Sequence, residues 1–255
     1  MATKSIQNAD ELIKHLDQVN STNLIDVYIP SLGRTAKFKQ LTVRQQTSLI
    51  TGVISQEAEK NAFSYNRAVT NIITDSNTEN VTIKLVDRGP VQVQLRCDTL
   101  GDHIAIGDKS YDMSILKYTV TDQNTSLIND THSYTLSGMS VDYTTPSISR
   151  DIKLNKFAEN KWMGEEGIDI ISELFKVELA KFIVSIHIEQ GEQEDIDIIM
   201  EDLDESDQLK VCDSLPVKIT RHILTYIQNV KSIENSLLKL EEDVYAPTDI
   251  TLFSV

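Results

Sequence analysis

Ile219, Ile223, Tyr226, Ile227, Val230, Ile233 and Leu237 recur at steps of three and four, with Tyr226 and Ile227 adjacent. That spacing lays a continuous apolar stripe along about five turns of helix. A helix of this kind is stable only when its stripe is covered by other apolar surface. The chain must therefore fold around it. Ser214 is placed to cap this helix, with Pro216 in its first turn. A second amphipathic helix is expected from Glu165 or Glu166, carrying Ile168, Ile171, Phe175, Leu179, Phe182 and Ile186. A short one is expected over Asp207–Asp213. The chain has 255 residues, 40% of them hydrophobic, enough to bury a sizeable core.

The opening part reads differently. Asn8 or Asp10 can cap a helix reaching Asn20, with Leu12, Ile13, Leu16 and Val19 on one face. Asn23–Pro30 and Thr35–Leu41 read as two strands turning at Ser31-Leu32-Gly33-Arg34, with Gly33 free to take positive φ. Thr42 and Gln45 form a capping box for a helix carrying Val43, Gln46, Leu49, Ile50 and Val53. A further helix is expected from about Glu57 to Thr74. Val91–Leu95 alternates like a strand, yet Asp87 could cap a helix with Pro90 in its first turn. Gly101–Thr145 holds short alternating runs, His103–Ile106, Ser133–Leu136 and Met139–Tyr143, around a polar loop at Thr121–Thr131. Pro146–Gly167 reads as a connector. The expectation is an α+β chain: a helix and hairpin region over 1–100, a small antiparallel β region over 101–148, and a helical region over 149–255.

Chemistry is sparse. Lys and Arg number 24 against 39 Asp and Glu, a formal charge of -15. Such a chain is expected to repel nucleic acid and anionic membranes, and its charge either suits a basic protein partner or simply favours solubility. The first ten residues hold no apolar signal region, and no apolar run is long enough to cross a membrane. Cys97 and Cys212 lie 115 positions apart, a spacing that fits no metal ribbon and suggests a reducing cytosol. The five histidines show no H-x-x-x-H pair. Ser31 lacks the glycine that a nucleophile elbow needs two residues earlier. No phosphate-binding glycine motif appears. No catalytic, metal or cofactor residue is therefore assigned.

What remains are surfaces. Ten acids and no Lys or Arg lie between Lys181 and Lys210, interleaved with Ile196, Ile198, Ile199, Met200 and Leu203. The interleaving reads as an acidic face in water, with Glu201, Asp202, Asp204 and Glu205 as candidate docking residues. Trp162 is the only Trp, either a buried anchor or an interface contact. Leu252 and Phe253 in the apolar tail either pack on their own domain or reach a partner.

Four blocks carry a resemblance. They are Ile29-Pro30-Ser31 with Ala36–Lys39, Gln45 and Gln46; Asp87-Arg88 with Leu95-Arg96 and Leu100-Gly101-Asp102; Glu173–Ile186, in particular Glu178, Lys181 and Ile183; and Asp213–Pro216 through Tyr226-Ile227, with Leu252-Phe253. In order and spacing they resemble the baseplate hub subunit and hub-assembly family of contractile-tailed phages of the T-even type. The resemblance favours the helix over 87–100. It implies a non-enzymatic role through contacts with hub or tape-measure proteins, in the cytoplasm of the infected host or in the virion baseplate. Metal-binding cysteine pairs of that family have no counterpart around Cys97. The rival readings are an acidic cytosolic adaptor or chaperone-like module, and an enzyme using carboxylates with a divalent metal. Charge reversal across Glu201, Asp202, Asp204 and Glu205 is expected to slow partner binding.

Overall fold

The chain is α+β, as its sequence pattern indicates. The computed structural model describes residues 23–54, 58–162, 170–191, 193–249 and 252. The helix expected before Asn20 lies outside them. Strands β1 (Leu24–Ile29) and β2 (Arg34–Lys39) form an antiparallel hairpin whose turn places Gly33 at φ 61. Val27, Ile29, Ala36 and Phe38 are buried on one face. Thr42 and Gln45 then open α1 (Val43–Ile54): the Thr42 amide donates to Gln45 Oε1 at 2.9 Å and the Gln45 amide donates back to Thr42 Oγ1 at 3.3 Å. That is the expected capping box. Val43, counted on the apolar face, is instead exposed beside the cap.

Helices α2 (Ala58–Ser76) and α3 (Arg88–Leu100) follow. Residues 88–100 are thus helical, with Pro90 in the first turn and Val91 and Leu95 buried. A short hairpin, β3 (His103–Ile106) and β4 (Lys109–Asp112), completes this half. The first core joins β1, β2, α1, α2 and α3 with Leu238, Ala246 and Leu252 from the end of the chain.

The second core lies under a four-stranded antiparallel sheet of β5 (His132–Leu136), β6 (Met139–Tyr143), β7 (Ile183–Ile188) and β8 (Ile196–Ile199), in that order. Ser137 and Gly138, at φ 50 and 79, turn β5 into β6, the backbone a right-twisted two-residue hairpin needs. Helices α4 (Asp122–Asn129), α5 (Ile148–Trp162), α6 (Ile170–Phe182), α7 (Glu205–Asp213) and α8 (Val217–Leu237) supply the rest of that core. All seven residues of the opening stripe are buried on α8, and Tyr226 meets Tyr143 edge to face at 5.0 Å. The small hairpin β9 (Lys239–Glu241) and β10 (Val244–Tyr245) returns the chain to the first core.

Several expectations need correction. Ile186 does not continue the α6 stripe; the helix ends at Phe182 and Ile183–Ile188 pairs with β6. An apolar residue four places after Phe182 fits either period, and the β-branched run decides for strand. Pro146–Gly167 contains α5, whose buried face mixes Leu154 and Ala158 with Asp151 and Glu159 and so shows no apolar rhythm. Thr121–Thr131 contains α4, capped by Thr121 Oγ1 and burying Ile128. Ser214 does not cap α8: its hydroxyl donates to Lys210 O at 2.9 Å, and Pro216 holds the N-cap position. The strands of 101–148 divide between two sheets, one of which extends into residues 183–199.

Candidate docking surface

The acidic stretch unfolds into β8, a 3-10 turn over Met200–Asp202, and α7. Its apolar residues split as expected only in part. Met200 is fully buried beneath the sheet, whereas Ile196 and Ile199 stay 40% and 44% exposed. The four candidate acids have different local duties. Glu201 receives a bond from Arg150 Nη1 at 3.1 Å, and Arg150 also donates to the carbonyls of Ala180 and Ile183. Asp204 caps α7 by accepting the Asp207 amide at 2.8 Å. Glu205 meets Lys153 at 3.0 Å. Asp202 is exposed and makes no side-chain bond among the described residues. Upstream, Asp197 bonds His187 Nδ1 at 2.7 Å, and Asp195 lies 3.9 Å from its other nitrogen. The Asp197 bond raises the His187 pKa.

Trp162 ends α5, and its side chain lies outside the described residues, as does Phe253. Leu252 is fully buried in the first core, with its carbonyl accepting Arg96 Nε at 3.0 Å. This side chain is an anchor on its own chain.

Sequence reasoning missed a buried ion network. Asp151 accepts Arg88 at 2.8 Å and Lys181 at 2.8 Å; Lys181 also meets Glu178 at 2.9 Å, and Glu178 meets Lys231 at 3.0 Å. Four helices, α3, α5, α6 and α8, supply these charges. They line a cavity of about 240 Å³ together with Glu234 and Asn155. Burial works against the Glu178 carboxylate, but Lys181 and Lys231 more than offset it and hold the pKa at about 2. Glu234 has burial without a bonded cation, and its pKa rises to about 7. A raised carboxyl in a cleft is a general acid candidate in principle. Here it faces Arg88 and Lys231, and no nucleophile–base pair accompanies it among the described residues. No local signal could have revealed this network, because its members are up to 143 positions apart.

The remaining reactive groups are committed. Ser31 is buried; its hydroxyl donates to Asp87 at 2.6 Å and its amide donates to the same carboxylate at 2.8 Å. Asp87 therefore ties the hairpin turn to the start of α3 rather than capping that helix. Burial lifts the Cys97 thiol to about 11 and the Cys212 thiol to about 12, which keeps both protonated and unreactive. Among the described residues no three His, Cys, Asp or Glu side chains are grouped to hold a metal ion. No described helix is long and apolar enough to cross a membrane. No protein-family model, curated protein or solved structure matches the chain.

Proposed function

We propose that the chain is a non-enzymatic component of a phage tail baseplate hub, or a factor that assembles one, acting through contacts with hub or tape-measure proteins. The supporting observation is where the four resembling blocks sit. Ser31 of the first bonds Asp87 of the second. Arg88 of the second and Lys181 of the third share Asp151. Arg96 of the second holds the carbonyl of Leu252 from the fourth. The blocks thus form one internal frame, with these polar groups spent inside the fold. A family sharing such residues would share a scaffold and place its specificity on the outside.

Quantitative mass spectrometry of purified virions and infected-cell lysate tests the reading. Copies in fixed proportion to tail proteins make the chain a hub subunit. Abundance in lysate with none in virions makes it an assembly factor. A gene standing apart from any tail gene cluster overturns both. The exposed acids flanking β8 favour the acidic adaptor as the second reading in that event.

A further inference from the structure

We infer that the free edge of β8 takes an extended basic segment of a partner protein as a fifth strand. This rests on the reading that the chain works by docking. An open strand edge is a template for pairing, and proteins normally blunt such edges. This chain does so on its other major hairpin. On β1, the Gln94 side chain accepts the Tyr28 amide at 2.8 Å and donates to the Tyr28 carbonyl at 2.9 Å. On β2, the Lys37 amide donates to Glu79 Oε1 at 3.0 Å, and its carbonyl accepts the Thr78 amide at 3.1 Å and hydroxyl at 2.7 Å. β8 ends its sheet with β7 as its one strand neighbour. Among the described residues no side chain or loop bonds across its outer edge, and Ile196, Asp197 and Ile199 are exposed.

Charge names the occupant. Glu194, Asp195, Asp197, Glu201 and Asp202 border the strip. His187 on β7 stands opposite Asp197 and bonds it; Asp142 on β6 lies on the same face one row along, in line with Ser185 and Ile199, and bonds Ser185. A second copy would set acid against acid, which disfavours pairing. A strand with Lys or Arg on the Asp197 side is favoured instead. The opposite face of the pair is apolar: Ile196 and Ile198 stand opposite Ile188 and Ile186. Because strand side chains alternate between faces, the segment that fits alternates basic and apolar residues. Backbone bonds would supply affinity and the alternation specificity.

The test uses the full chain and labelled peptides: one alternating lysine and valine, one of the same charge with two valines replaced by proline, and one alternating glutamate and valine. Fluorescence anisotropy reads affinity, and hydrogen exchange reads protection of residues 196–199. The lysine–valine peptide is expected to bind and slow exchange there. The proline peptide is expected to bind about tenfold more weakly, since it lacks ladder donors. D195N together with D197N, both on exposed side chains, is expected to weaken binding several-fold at low salt. Equal binding of the two lysine peptides would reduce the effect to bulk charge and overturn the inference. Protection of 196–199 that needs no peptide and vanishes on dilution would overturn it in favour of a second copy. Failure of the peptides with the chain present in virions removes the edge alone. Binding by a chain that no tail assembly contains leaves the edge standing and removes the hub reading.

Discussion

Two parts of this molecule are built from the same residue types and do opposite things. In the interior, Asp151 and Lys181 are buried and Glu178 is half-buried, and each carboxylate meets two cations. On the flank formed by β8 and α7, acids outnumber bases and stand in water. A buried charge is tolerable only with partners, so the interior set is closed and its members are interdependent. An exposed charge is screened and weakly held, so the flank leaves charge available to another molecule. The contrast separates what holds the fold from what a partner can read.

Asp151→Ala attacks the interior most directly. It strips partners from both Arg88 and Lys181 at once. Arg88 then loses its bonded carboxylate and Lys181 keeps only Glu178; breaking such a pair costs about 3–5 kcal/mol, to be measured by denaturant unfolding at neutral pH. A loss below about 1 kcal/mol would erase the distinction between network and surface.

Glu234 sharpens the comparison, because it lines the same cavity with no bonded cation. Its pKa rises from the ordinary 4.5 to about 7. The folded state then holds this proton more tightly than the unfolded chain, so the stabilising contribution is present below about 4.5 and is lost as pH rises through about 7. Glu234→Gln cannot ionise. It should match the wild type at pH 5 and exceed it at pH 8 by up to about 2–3 kcal/mol, seen as a higher Tm. Glu178 has the opposite sign. Its pKa, lowered to about 2, contributes stability above the ordinary 4.5 that is lost as pH falls. Identical Tm profiles for Glu234→Gln and wild type across pH 5–8 would mean that Glu234 is solvated rather than buried.

The legibility of the chain follows the same division. Local rules revealed the Thr42–Gln45 capping box, the α8 stripe and the hairpin, since each is encoded within a few turns or residues. Helix α5 was hidden because half of its buried face is ionic. The α6 to β7 transition was hidden because Ile186 fits both periods. The ion network was illegible altogether, since Arg88 and Lys231 come to line one cavity only after the helices between them have packed. The acidic stretch was visible as composition, but which acids are occupied was not: Asp204 is a cap and Glu205 a partner of Lys153.

That occupancy predicts a graded response along α7. Asp204→Ala removes the acceptor for the Asp207 amide and should cost about 1 kcal/mol, read by chemical unfolding. Asp204→Asn, which keeps a capping oxygen, should recover most of it. A full loss in the Asn variant would mean that the charge at the helix start, rather than the cap bond, carries the effect.

The smallest expected effect on stability belongs to Asp202, and it is the most informative about the flank. Asp202→Lys should change unfolding free energy by less than about 0.5 kcal/mol, because nothing in the fold depends on that side chain. The same change places a cation beside the β8 strip. Association of the lysine–valine peptide should then slow at low ionic strength, with the difference shrinking as salt shortens the reach of the charge. Stopped-flow fluorescence would measure both. An unchanged association rate would assign the flank acids to solubility alone. A changed rate with unchanged stability is the pattern required of a surface that acts on partners without supporting the fold, and Asp151 cannot show it.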